Sequence, residues 1–456
     1  MDAAAENPLR QRLPRALKPF ANGQYRILAV ALTISLFGAG VWIVALVWQV
    51  IALGGTPIEL SVVATGSAVG MLATVLFAGV VADRVPQKRI LLVVEATKTV
   101  VIAAVAVLSL SGSLHVWHLV IAALVLGAAE GFFYPAYSAL LPAVLAADDL
   151  LAANGMEGML RPTVMQAAGP AAASAAIAVW SPAAAFLIVA VSQALAVLAL
   201  LGLRTTPVRR DPGELQPTVR GFLGDVAGGI RYMVRTPWLL ATLLFACFFV
   251  LMLIGPIEVL LPFAVKDQVP AEVQAIFGGG AGAFAVTLAA FGIGGAVGSL
   301  VIASLKLPRR YLTLMNLMWG VGAVPLVLIG ITDQLWLMVI ATFACGFLFQ
   351  AANVIWGTLL QRRVPPALLG RVSSLDFFVS LALMPVSMAL AGPIGVAFGL
   401  PIVFLVAALA PIPVAILAIV LARMPADELA HPLDEAEREL EPDAQEVLGP
   451  LPPVQG

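Results

Sequence analysis

The chain has 456 residues, of which 61% are hydrophobic and 11% charged, against roughly 45–50% apolar and about 25% charged in a soluble domain. A charge deficit spread over the whole length excludes an ordinary soluble enzyme and a soluble domain on a single anchor. The formal net charge is −1, from 25 basic and 26 acidic residues, so disorder of the bulk of the chain, which needs low hydrophobicity and high net charge, is excluded too.

In chain order, residues 1–26 form a polar, basic segment, and the apolar run behind it is too long for a cleavable signal peptide. A membrane helix needs roughly 20 mostly apolar residues. Such spans are predicted at about 27–53, 59–81, 90–110, 116–140, 156–179 and 182–203. A polar stretch over 204–237 carries six arginines and reads as a cytoplasmic linker, with an amphipathic surface helix over Thr218 to Val234. Six more spans follow at about 238–263, 281–304, 311–331, 335–358, 372–395 and 398–422. The remainder, 423–456, is proline-rich with nine acidic residues and is expected to be disordered. The fold class is therefore an all-α membrane protein, with twelve transmembrane helices in two six-helix bundles, 27–203 and 238–422.

Basic residues set the orientation. With the N-terminus in the cytoplasm, 22 of the 25 basic residues fall on that side, in the N-terminal segment, the 2–3, 8–9 and 10–11 connections, the linker and the tail. Lys266 alone lies outside, and Lys98 and Arg161 lie within spans. Both termini are thus expected in the cytoplasm, with the protein in the plasma (inner) membrane. The two cysteines and three histidines form no metal-ligand spacing, so no metal is expected. No lysine follows a glycine, which excludes a P-loop, so no cofactor is expected and the energy source would be the proton-motive force.

The two halves resemble each other. Gly131-Phe132-Phe133-Tyr134-Pro135-Ala136 in span 4 matches Gly346-Phe347-Leu348-Phe349-Gln350-Ala351 in span 10. Gly169-Pro170 in span 5 has a counterpart in Gly392-Pro393 in span 11, and Pro86-Gln87-Lys88-Arg89 resembles Leu307-Pro308-Arg309-Arg310. Each match pairs a span with the one six later, as in a duplicated unit. Membrane proteins built this way place a substrate site between the halves near the midplane.

The 2–3 connection reads Gly79-Val80-Val81-Ala82-Asp83-Arg84-Val85-Pro86-Gln87-Lys88-Arg89. It resembles the loop signature of the major facilitator superfamily at Gly79, Asp83, Arg84, Lys88 and Arg89, with Val81, Pro86 and Gln87 as departures. The resemblance covers about 27–422. It implies a latch in which Asp83 engages the cytoplasmic start of helix 11, near Ser373 and Ser374, with Arg84, Lys88, Arg89 and Asp376 as further elements; a carboxylate beside a helix N-terminus gains roughly 0.3–1 kcal/mol. The alternative is that Arg84, Lys88 and Arg89 serve topology alone. Ser304 stands where a second Asp would be, so the latch is one-sided. Ala136 through Pro142, Ala152-Ala153-Asn154-Gly155, Gly169-Pro170, Gly229-Ile230-Arg231-Tyr232, Leu260-Leu261-Pro262 and Leu369-Gly370-Arg371-Val372 resemble the drug and siderophore exporter branch, which contains the enterobactin exporter. Gly169 and Pro170 are also candidates for a helix-packing motif, since small residues let helices approach closely.

Ionisable residues within spans are functional candidates. Glu130 lies about 14 residues into span 4, roughly 21 Å from its outer end, with no basic residue within a turn. It reads as an unpaired carboxylate suited to proton coupling or to binding a cation, or alternatively as a structural hydrogen-bond group. Glu157 and Arg161 are four apart and Glu95 and Lys98 three apart, so each pair shares a face and reads as mutual neutralisation in the cytoplasmic third. Glu157 and Arg161 are also proton-coupling candidates, and Arg161 could instead contact an anionic substrate or partner Glu130. Asp376, one turn into span 11, reads as a cap or latch residue. Trp42, Gln49, Gln350, Asn353 and Trp356 are candidates for the substrate cavity, the tryptophans alternatively for interfacial belts.

The residues and the resemblance together imply a secondary transporter, not an enzyme, that exports an amphipathic small molecule such as a drug or siderophore-like metabolite by alternating access with proton antiport. Uptake of a nutrient and a non-transporting membrane sensor or scaffold remain open. The expected partners are a small-molecule substrate, protons and the lipid bilayer, with no nucleic acid, and the protein is expected as a monomer.

Overall fold

The computed structural model describes residues 15–204, 228–305, 307–365, 372, 375–376 and 378–433. Among them there are helices and no strands, because a chain in lipid must satisfy its backbone polar groups within each segment or in a closed barrel. The spanning helices are α1 (Gly23–Ala52), α2 (Pro57–Arg84), α3 (Gln87–Leu110), α4 (Val116–Val144), α5 (147–179) and α6 (Pro182–Leu201). The second half contains α7 (Pro237–Gln268), α8 (Gly280–Ser304), α9 (Tyr311–Ile331), α10 (Leu335–Arg363), α11 (Phe378–Phe398) and α12 (Leu400–Leu421). Eleven of these are long and apolar enough to cross a membrane. The other, α5, is less apolar, carrying Asp149, Glu157, Arg161 and Gln166.

Helix starts follow local chemistry. Asn22 accepts from the backbone of Gln24 (2.8 Å) and Tyr25 (3.4 Å), so α1 begins four residues before the apolar run does. Thr56 and Glu59 form a capping box at α2, whose first residue is Pro57. α5 starts at residue 147 and not near 156, with Asp149 in its first turn, where a carboxylate is favoured.

The packing is two-fold. In the first half α2 packs on α4, α3 on α4, α3 on α6, α1 on α6 and α1 on α5. The second half repeats each pairing with every number raised by six. Where the halves meet, α2 packs on α11 and α8 on α5, which the same operation exchanges. The repeated span 4 and span 10 sequences serve this symmetry. A Cβ on Gly131 would meet Met71 O of α2 at 3.0 Å and the Thr74 side chain closer still, and one on Gly346 would meet Phe291 O of α8 at 2.0 Å. The two Gly-Pro motifs differ. Gly169 lies against Gly40 of α1 within its own half, whereas Gly392 crosses to Pro57 and Ser61 of α2.

Two helices are wound wider in mid-course. The π-helical stretches Arg161–Ala168 in α5 and Pro256–Leu260 in α7 each have a proline within their first two residues, whose missing N–H breaks the ladder of i to i−4 bonds. In α7 the Ser387 hydroxyl of α11 accepts from Gly255 N (2.8 Å) and donates to Leu251 O (2.7 Å), two groups that an α-helix joins directly.

The region after α12 corrects the expectation of disorder over its first part. Met424–Ala430 is a helix, α13. Glu428 is fully buried and its carboxylate accepts from Leu312 N (2.8 Å), Thr313 N (3.0 Å) and Thr313 Oγ1 (2.7 Å) at the start of α9. Asp427 pairs with Arg363 at the end of α10 (2.5 Å), and His431 O accepts from the Tyr311 hydroxyl (2.8 Å). Two acids of a segment that reads as solvated from composition are thus used to close exposed helix ends. Residues 434–456 lie outside the described residues. Leaving buried donors unsatisfied costs about 1–3 kcal/mol each, so Glu428→Ala is expected to destabilise by roughly 2–3 kcal/mol. A detergent melt with an unchanged midpoint would show that α13 contributes no such cap.

Candidate functional site

At mid-depth in the first half, α1, α3 and α4 bring four polar residues together. Lys98 of α3 donates to Glu130 Oε2 of α4 at 2.7 Å and lies 3.5 Å from Glu95 Oε1. The Ser35 hydroxyl of α1 donates to the same Glu95 oxygen at 2.8 Å. The Lys98 ammonium also lies 4.8 Å from the centre of the Phe133 ring. The other Glu95 oxygen, Oε2, is buried without a hydrogen-bond partner. Glu95 and Lys98 are buried, whereas the Glu130 side chain is 44% exposed. The cluster is therefore graded, with one carboxylate accessible, one sealed in the bundle and a single ammonium between them.

This corrects two sequence expectations. Glu130 is not unpaired, because its cation comes from the neighbouring helix and not from its own. Glu95 and Lys98 do not form a self-contained pair in the cytoplasmic third. Lys98 is 11 residues into a helix of 24, about 17 Å along it, and its shorter bond is to Glu130. Two carboxylates sharing one ammonium carry a net charge of −1 when both are ionised, which a low-dielectric interior disfavours. The arrangement can accept one further positive charge.

Arg161 is not the partner of Glu130. Its guanidinium bonds Glu157 at 3.1 and 3.2 Å on its own helix and lies 6.0 Å from the Tyr134 ring centre. It stands at the head of the α5 π stretch, one turn before Gln166, which lies against Gly292 of α8.

The proposed cavity residues separate. Gln49 is buried and accepts from the Ser109 hydroxyl at 2.8 Å, tying α1 to α3, and Trp42 packs on Phe186 of α6. For Gln49, apolar surroundings recruit the amide into an interhelical bond. Trp356 donates to Asp376 Oδ2 at 3.0 Å and sits against Trp238 and Trp319. Gln350 is exposed and accepts from Asn353 at 2.8 Å. A separate apolar groove of about 550 Å³ opens between α1, α5 and α6, with Phe37, Val164 and Val191 among its walls.

Of the latch residues, Gly79 and Asp83 lie near the end of α2, but their surroundings are outside the described residues, as are Ser373 and Ser374. Arg84 and Arg89 are exposed. Lys88 turns to its own half, donating to Leu201 O (2.9 Å) and Leu203 O at the end of α6, where free carbonyls attract a cation. Asp376 accepts from Trp356 and from the Ser380 hydroxyl at 3.3 Å, so its carboxylate is held within the second half. Gly169 and Pro170 are buried in the α5–α1 contact.

The two halves touch toward one end. Gly392 N donates to Ser61 Oγ at 2.7 Å, and Trp48 of α1 stacks on Phe284 of α8 at 5.7 Å. This is the end carrying the short α1–α2 and α11–α12 connections. Nearer mid-depth, Glu130 and Tyr134 of α4 and Gln350 of α10 remain accessible.

Sequence reasoning missed Ser35, Ser387 and Glu428, and missed the pairing of Lys98 with Glu130. Helical spacing reveals neighbours on one helix, and these contacts join different helices.

A family model described as transmembrane secretion effector matches residues 15–450. The chain is 28% identical over 399 residues to a multidrug efflux pump, Tap, of Mycobacterium tuberculosis, covering 85% of this chain and 90% of that protein. It is 27% identical over 414 residues to the pump of the same name from Mycolicibacterium fortuitum, covering 89% and 97%. Among solved structures it resembles a mutant form of the nucleoside transporter NupG, with a TM-score of 0.70 at 12% identity over 87% of this chain and 99% of that one. A POT family transporter in complex with 5-aminolevulinic acid gives a TM-score of 0.65 at 12% identity, over 88% and 95%.

Proposed function

The chain belongs to the transmembrane secretion effector family of the major facilitator superfamily, and on that premise we propose that this transporter exports an amphipathic, cationic small molecule in exchange for protons. Export rests on the likeness to the efflux pumps. Proton exchange rests on one observation, the pair of carboxylates sharing Lys98 at mid-depth, with one of them accessible. With the basic connections placed in the cytoplasm, as in the sequence reading, the touching ends of the halves face outward and the accessible side of Glu130 faces inward. The described conformation is then the inward-facing one, ready to take substrate from the cell. The route is the plasma membrane, crossed by rocking the halves about the α2–α11 and α5–α8 contacts.

An anionic substrate fits this site poorly, because the charge in excess is negative. Sealing one extra negative charge in a dry site is costly, so either a proton or a cation must neutralise the two-acid cluster before the halves close over it. The exchange follows from that competition.

The test uses inside-out vesicles with a lipophilic cation such as ethidium as the probe. Glu130→Gln is expected to reduce proton-driven uptake into the vesicles at least tenfold while the protein keeps its size-exclusion profile. Unchanged transport, or wild-type transport insensitive to collapse of the proton-motive force, would overturn the reading.

A further inference from the structure

We propose that Glu95 holds the transported proton and that Lys98 controls it by changing partners, with Glu130 serving as the cation-binding carboxylate; this division of labour rests on the proton-coupled reading of the same site. The two acids are not equivalent. Glu130 is partly exposed and already holds Lys98 at 2.7 Å. Glu95 is sealed, with Lys98 at the longer distance of 3.5 Å and its Oε2 unpartnered.

The surroundings of Glu95 explain where the proton belongs. Glu95 is one of the residues around a cavity of about 10 Å³, with Leu28 and Leu32 of α1, Leu91 of α3, Phe133 and Tyr137 of α4 and Leu200 of α6. The polar groups facing it are Ser35 of α1, Lys98 of its own helix, and Glu130 and Tyr137 of α4, while α6 presents the apolar Leu200. A bare anionic oxygen buried without a hydrogen-bond partner, as Oε2 is, is far costlier than a neutral carboxylic acid. The Oε1 atom, which accepts from Ser35, is the carbonyl oxygen, and Oε2 carries the proton. Glu95 neutral, Lys98 charged and Glu130 ionised then sum to zero.

The exchange keeps that sum. A cation that binds Glu130 displaces the Lys98 ammonium, which moves toward Glu95 Oε1. The carboxyl of Glu95 ionises beside it and gives up the Oε2 proton to water on the Glu130 side. One positive charge enters, one proton leaves, and Lys98 keeps its own protons throughout. In the return step a proton re-enters at Glu95, Lys98 swings back, and the cation is expelled from Glu130. Lys98 is thus a positioning residue that couples two sites too different in exposure to exchange ligands directly. The Glu95–Lys98 spacing that reads as simple neutralisation becomes the cation-bound stop of the swing.

Infrared spectroscopy of the purified full chain at neutral pH tests this without any substrate. Wild type is expected to show a buried carboxylic acid carbonyl band that Glu95→Gln loses. Glu130→Gln is expected to lose it as well, because the freed Lys98 ionises Glu95. Ser35→Ala, which removes the hydrogen bond to the carbonyl oxygen without touching a charge, is expected to shift the band to higher frequency. A band that survives in Glu95→Gln, an unaltered spectrum in Glu130→Gln, or an unmoved band in Ser35→Ala overturns the assignment. Expected spectra combined with transport indifferent to the proton-motive force would sink proton antiport and leave the protonated Glu95 standing. Proton-driven transport with the wrong spectra would do the reverse.

Discussion

Lys98→Met is expected to abolish proton-driven transport while leaving the fold intact. Lys98 is the only cation within 4 Å of either Glu95 or Glu130 among the described residues, so its loss leaves both carboxylates without a counter-charge. Removing one partner of a buried ion pair costs roughly 3–5 kcal/mol when the remaining charge cannot be relieved. Here it can be relieved, since Glu95 is sealed and takes a proton and Glu130 is partly exposed. Folding is therefore spared and the cost falls on the cycle. Neither acid then has a reason to release its proton when the other binds a cation. Transport of ethidium into inside-out vesicles is expected to fall about 100-fold, the equivalent of roughly 2.7 kcal/mol, and its remaining rate to lose its dependence on pH. Lys98→Arg keeps the charge with a longer, planar head and is expected to restore part of the rate. A Lys98→Met protein that pumps against a proton gradient at the wild-type rate would exclude any role of this cluster in coupling.

Gly392→Val is expected to hold the halves apart at their touching end. A Cβ at Gly392 would stand 2.3 Å from Pro57 O and 2.6 Å from Ser61 Oγ. The first of these is backbone and cannot yield without moving α2. Overpacking of this kind costs about 1–3 kcal/mol, and that cost is borne only by the conformer in which α2 and α11 meet here. A difference of this size shifts a two-state equilibrium about 5- to 150-fold. The check uses a cysteine placed at Phe284, in a background where Cys247 and Cys345 are replaced by serine. Phe284 is buried beneath Trp48, so a membrane-impermeant thiol reagent should label it slowly in the parent and rapidly with Gly392→Val. Equal labelling would show that this contact does not close that end.

Membership, span number and two-fold layout were legible because they are properties of single helices. An apolar run of sufficient length must become a helix in lipid, and lysine and arginine are excluded from one side wherever they fall in the chain. The repeat in spans 4 and 10 was legible for a similar reason, since Gly131 and Gly346 meet equivalent neighbours in the two halves. The Gly-Pro repeat was misleading, as similar residues in α5 and α11 face different partners. The tail was read from its composition alone, and composition does not register that Asp427 and Glu428 stand opposite Arg363 and the start of α9.

The sequence by itself determined that this is a twelve-span membrane protein of duplicated design, and that Glu130 is a carboxylate deep in a span with no cation on its own helix. Only the tertiary structure decided that Glu130 is paired, that its cation is Lys98, and that Glu95 is the acid sealed from water. The reason is geometric. Spacing along one helix fixes which of its own residues share a face, whereas the rotation and height at which α1, α3 and α4 meet depend on the packing of every helix around them.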